Sequence, residues 1–86
     1  MSGQDAVLRS VLEVLADIIP GAPVLHADTD LLTTGLLDSL GIVTAINRLE
    51  QQHDVQLPPE ALNPDTFARP AALAAVLADA ARQSRS

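Results

Sequence analysis

No cysteine occurs in these 86 residues. That excludes a disulfide framework, a thiolate zinc site and a cysteine nucleophile, and it allows a cytoplasmic setting. Lysine, tryptophan and tyrosine are also missing, and Phe67 is the only aromatic residue. Five Arg stand against eleven acids, for a net charge of -6. A nucleic-acid-binding protein needs a basic surface, so that class is not expected. No apolar run approaches the ~20 residues that a membrane span requires. The start Met1-Ser2-Gly3-Gln4-Asp5 has neither a basic segment nor an apolar one behind it, so no signal peptide is expected.

What is present is aliphatic. Ala and Leu contribute 14 residues each. Such a balance suits small helices packed by aliphatic contacts and argues against a β-sandwich, which draws on Val, Ile, Tyr and Thr in alternation. The length allows one small domain that buries about 60–65% of its unfolded surface. The acids are unevenly spread. Residues 1–44 hold six acids and one Arg, a net of -5, whereas residues 45–86 hold five acids and four Arg, a net of -1. This asymmetry suits either simple solubility or an acidic docking surface for basic partners.

Leu8, Val11, Leu12, Leu15, Ile18 and Ile19 follow the spacing of an amphipathic helix over roughly Asp5 to Ile19. Asp5, Glu13 and Asp17 lie off that stripe. Pro20-Gly21-Ala22-Pro23 ends the helix, because proline cannot continue its hydrogen-bond ladder. From Pro20 to Asp38 no periodicity is clear. Long loops of this kind are often functional, and Leu25, Leu31, Leu32, Leu36 and Leu37 can anchor this one to a core. Gly35 allows a left-handed backbone within it.

A second helix is expected from Asp38 or Ser39, either of which can cap it, to about His53. Leu57-Pro58-Pro59 then breaks the chain. Asn63-Pro64 pairs a cap with proline at the first helical position and opens a short turn through Phe67. Pro70 opens a last helix with Leu73, Val76, Leu77 and Ala80 as its apolar stripe. Arg82 and Arg85 sit at or past its end, where cations suit the dipole. The fold expected is all-α: a four-helix bundle of three longer helices and one short third helix. Residues 1–86 are expected to form one domain, with a core over about 5–82 and a flexible tail over 83–86.

Several chemistries fail on spacing. Asp28-Thr29-Asp30 begins like a calcium loop, but the ligand, glycine and glutamate expected at its fifth, sixth and twelfth positions are Leu32, Thr33 and Ser39. No metal site is expected. His26 and His53 are the only imidazoles. His53 lies about 21 Å from Ser39 along a helix, too far to serve as its base. No Gly-x-Ser-x-Gly elbow surrounds Ser39, so a serine hydrolase is disfavoured. The expectation is a solvated His26, and a His53 at the core edge with its ring hydrogen-bonded.

The second helix holds an anomaly. At about 100° per residue, Ile42, Ala45, Ile46, Leu49 and His53 share one inward stripe. Leu40 lies about 160° from its centre and Val43 about 100° off. Two apolar side chains therefore face outward beside Ser39, as a contact site would require, unless the long loop folds over Leu40. Ser39 itself is either a helix cap or a hydroxyl displayed at a helix start. The free N–H groups and partial positive charge there favour a phosphate ester, which another enzyme would have to install.

The run Gly35-Leu36-Leu37-Asp38-Ser39-Leu40 resembles the acyl and peptidyl carrier proteins, whose signature is Asp-Ser-Leu at the start of the second helix. The first helix, Asp30-Leu31-Leu32, Gly35, the Leu57-Pro58 break and the short third helix fall in the same order. The resemblance implies that Ser39 carries 4'-phosphopantetheine, attached from coenzyme A by a phosphopantetheinyl transferase using magnesium. It implies a thioester-bound acyl or aminoacyl cargo on the cofactor's thiol, and no catalysis by the chain itself. It assigns Asp38 to assisting modification, and Leu37, Leu40 and Val43 to recognition by partners. Those partners would be an adenylating or acyl-loading enzyme and downstream tailoring or condensing enzymes, with the carrier a cytoplasmic monomer.

The second helix departs from the fatty-acid type. It has Gly41, Thr44, Asn47 and Arg48 where acids would dominate, and Glu50 is its only acid before Asp54. Docking led by charge is therefore not expected. Leu62-Asn63-Pro64-Asp65-Thr66-Phe67 resembles free-standing carriers of nonribosomal-peptide, D-alanyl or related pathways. The main expectation is a discrete carrier of nonribosomal-peptide or hybrid polyketide biosynthesis. The alternatives are a primary-metabolism or D-alanyl carrier, and a helical interaction module with no cofactor.

Overall fold

The computed structural model describes residues 3–84, with side-chain burial over residues 5–83. Four α-helices follow in order: α1 (Gly3–Ile18), α2 (Ser39–His53), α3 (Pro64–Phe67) and α4 (Pro70–Ser84). A single 3₁₀ turn, Pro59–Ala61, precedes α3. The chain is thus an all-α bundle of three longer helices and one short one. Helix α4 continues through Ser84, into the segment expected as a tail from residue 83. Arg85 and Ser86 lie outside the described residues, as does the start of the chain at Met1 and Ser2.

Helix α1 packs on α4 and α2, and α3 packs on α4. Val11, Val14, Leu15 and Ile19 are its buried contribution. Val14 was not on the expected stripe, and Leu12, which was, is half-buried and outside the core cluster. The buried arc is therefore centred nearer Val14 than the leucine spacing suggests. On α4, Leu73, Ala74, Leu77 and Ala80 are buried as the stripe requires. Leu15, Leu31, Leu49, Leu73 and Leu77 are fully buried, each contributing roughly 1.5–3 kcal/mol by leaving water.

The long loop between α1 and α2 is well tied. Leu31 and Leu37 enter the core, and Leu25, Leu32 and Leu36 pack against it. The N–H of Leu31 donates to Ala68 O (2.9 Å), that of Leu37 to Leu31 O (3.0 Å) and that of Ala71 to Ala27 O (2.9 Å). The first and last of these bonds stitch the loop to the α3–α4 junction, and the second closes the loop on itself. Asp28-Thr29-Asp30 is spent on turns: Thr29 Oγ1 accepts from His26 N–H, and Asp30 Oδ1 from Thr33 N–H. Gly35 takes φ +76°, the left-handed region that glycine enters at least cost.

Beyond α2 the chain turns at Asp54, whose φ of 53° is left-handed and whose N–H closes on Glu50 O. The Glu50 carboxylate reaches forward to accept from Leu57 N–H at 2.7 Å. Asn63 caps α3 through Oδ1, which accepts from Thr66 N–H at 3.1 Å. The expectation of a hydrogen-bonded His53 ring is overturned: its Nε2 is buried without a partner. The acid three residues earlier, Glu50, is already engaged by Leu57.

Candidate functional site

The loop delivers Asp38 in extended conformation, and its Oδ1 accepts from Gly41 N–H at 2.8 Å. Asp38 is therefore the N-cap of α2, and Ser39 is the first helical residue. The sequence left the cap open between the two. With the cap supplied by Asp38, the hydroxyl of Ser39 is exposed and hydrogen-bonded to nothing among the described residues. It stands at a helix N-terminus, where unpaired N–H groups and the macrodipole favour a negatively charged substituent.

Leu40 is 76% exposed and Val43 53%. The long loop does not fold over Leu40, and the outward apolar pair read from helical angles stands in the structure. Inward, Ala45 and Leu49 are buried, with Ile42 and Ile46 packed on the core. Leu37 must be corrected. It was grouped with the recognition residues, but it is only 4% exposed. Its N–H is bonded to Leu31 O, and its side chain lies against the first turn of α2 beside Gly41. Leu37 supports the site from below and offers partners almost no surface.

Two grooves flank the start of α2. One, of ≈ 430 Å³, opens at Ser39 and is walled by Ile42, Val43, Ile46, Leu62 and Phe67. The other lies towards the end of α1, between Ile18, Pro20, Leu36 and Leu40. Leu62, 46% exposed, joins Val43 in the first groove and was not singled out from the sequence. Its signal was available: it directly precedes the Asn63-Pro64 cap, so it lies outside α3 and its stripe. Val24, also exposed, gave no sequence signal. His26 is exposed in the loop. Ser39 and His53 are the first and last residues of α2, so no imidazole from this helix reaches the hydroxyl.

An exposed, uncommitted serine at a helix start, opening onto an apolar groove, fits an elongated group held by a phosphodiester. A family model described as a phosphopantetheine attachment site matches residues 6–77. The chain belongs to that family.

The carrier domain is not itself an enzyme, and its cofactor is 4'-phosphopantetheine. It is similar to a D-alanyl carrier protein of Lacticaseibacillus casei (strain BL23), with 38% identity over 55 residues, which is 63% of this chain and 68% of that protein. The surface of α2 matches the expectation of weak charge. Glu50 lies far from Ser39 and is engaged by Leu57, while Arg48 pairs with Asp17 of α1 at 2.6 Å. Among the described residues no helix is long and apolar enough to cross a membrane.

Proposed function

We propose that Ser39 is the attachment residue and that the tethered cargo is a small aminoacyl group of the D-alanyl kind, delivered by an adenylating enzyme. The observation that carries the first half is the free Ser39 hydroxyl, left unengaged because Asp38 caps the helix. In the transfer, Ser39 Oγ forms a bond to the phosphorus next to the pantetheine of coenzyme A. The bond from that phosphorus to the adenosine bisphosphate half breaks, and the hydroxyl proton passes to a base of the transferase. When bound, the cofactor supplies the thiol that this cysteine-free chain lacks and on which cargo is held as a thioester.

This chain's own residues present and orient. Asp38 fixes the first turn next to Ser39, and in this reading its carboxylate assists magnesium during modification. Leu40 and Val43 offer partners an apolar surface whose removal from water supplies contact energy without a charge match. The similarity to the D-alanyl carrier supports an aminoacyl cargo over a long acyl chain, and the weakly charged α2 suits docking led by apolar contact. Residues 1–86 act in this reading as one carrier domain, monomeric and cytoplasmic. The transferase, an adenylating enzyme and an enzyme that removes the cargo are its partners.

Intact-protein mass spectrometry tests both halves. With coenzyme A and a broad-specificity transferase, wild type is expected to gain one phosphopantetheine and Ser39→Ala none. The loaded carrier is then offered D-alanine, L-alanine and other amino acids with their adenylating enzymes. Preferential loading by the D-alanine enzyme supports the cargo assignment. Preference for a synthetase-type enzyme of another amino acid moves the chain to nonribosomal-peptide biosynthesis. A wild type that gains no mass leaves Ser39 without its role.

A further inference from the structure

Gly41 is the third residue of α2, a position where residues with side chains favour the helix over glycine. Its φ is not positive, so backbone conformation does not call for glycine there. Space does. A Cβ at this position would meet Leu37 Cδ1 at 2.9 Å and Asp38 Oδ1 at 3.2 Å. Gly21 and Gly35, by contrast, have nothing within 4 Å of such an atom. Both neighbours are side-chain ends that a methyl group at 41 would have to push aside. Leu37 is buried and its N–H is bonded to Leu31 O. Asp38 Oδ1 is held by the N–H of Gly41 itself at 2.8 Å.

Ser39 follows these two residues and shares the first turn with Gly41. We infer that Gly41 is a positioning residue for modification at Ser39: its missing side chain lets Leu37 and Asp38 close on the first turn and so fixes where the Ser39 hydroxyl points. The inference rests on the proposed role of Ser39. The buried Leu37 is the floor, the Asp38 cap is the latch, and Gly41 is the gap both occupy. A methyl group at 41 displaces one or both, and the hydroxyl moves with them. A small misplacement of a reacting atom is enough to slow a group transfer severely.

The test measures phosphopantetheine transfer from coenzyme A, with kcat and KM for the carrier, alongside helical circular dichroism and thermal unfolding. Gly41→Ala is expected to stay helical and to lose about tenfold or more in kcat. Leu37→Val, which shortens the floor, is expected to lose a smaller part of the rate than Gly41→Ala, together with some stability. Combined with Gly41→Ala it is expected to restore most of the lost rate, because the atom that the new methyl group meets is gone. Gly41→Ala modified at the wild-type rate overturns the inference. So does a combined variant that regains nothing, or Leu37→Val alone being as slow as Gly41→Ala. Loss of the helical signal in Gly41→Ala makes Gly41 a requirement of the fold and overturns it too. An unmodified wild type removes the role of Ser39 instead, and that arm is read before any variant is compared.

Discussion

The two sides of α2 carry side chains of the same chemical kind in opposite surroundings. On the inner side, Ala45 and Leu49 lose all contact with water. On the outer side, Leu40 and Val43 keep most or half of theirs. The inner pair lies in the core cluster, on the helix that packs against α1, so its burial stabilises the fold. The outer pair contributes little to the fold, and for an 86-residue chain an exposed apolar pair is a standing cost in solubility. In the proposed function, this pair beside Ser39 is surface reserved for other proteins. One helix thus sets its buried face and its exposed apolar face about half a turn apart.

The strongest way to break this contrast is at the inner face. Leu49→Ala is expected to cost about 2–5 kcal/mol in urea or thermal unfolding, since it leaves a cavity in a packed interior. A negligible change would put Leu49 outside the core and erase the distinction. At the junction of the two faces, Asp38→Ala is expected to cost about 1 kcal/mol through the lost cap. Asp38→Asn keeps an acceptor for Gly41 N–H and should cost only a few tenths by the same measure. A fall in phosphopantetheine transfer in the Asn variant, at near-native stability, would isolate the charge of Asp38 as an aid to modification.

At the far end of α2, His53→Leu is expected to raise stability by about 1 kcal/mol, because the buried ring nitrogen has no partner to lose. A destabilised His53→Leu would mean the ring is held by contacts that leucine does not reproduce. The smallest effect on the fold belongs to the outer face. Leu40→Glu is expected to change stability by no more than about 0.5 kcal/mol, while loading by partner enzymes falls. A collapse of thermal stability would place Leu40 in the interior, and unchanged loading would remove it from the docking surface.

Much of the architecture was legible in the linear chain because its signals are local. Proline at Pro20, Pro58, Pro64 and Pro70 marks where helices stop and start, since the ring removes a donor and fixes φ. Helical angles separated Leu40 and Val43 from Ala45 and Leu49, because rotation per residue is a property of the helix alone. The place of Ser39 at a helix start came from the same kind of evidence. The signals that failed depend on neighbours distant in the chain or on which of two competing groups wins. Leu37 and Leu40 are both leucines beside the same serine, and only their burial in the folded chain shows which one is turned inward.

Composition and periodicity were sufficient for the helices, their order, the missing thiol and the outward apolar pair, because each follows from bonding and geometry within a few residues. Three-dimensional packing was needed to give the cap to Asp38 and free the Ser39 hydroxyl, to bury Leu37, to strand the His53 nitrogen and to show why position 41 has no side chain. Each of those turns on which atoms converge at one point in space, and convergence between separate elements leaves no local trace in the order of residues.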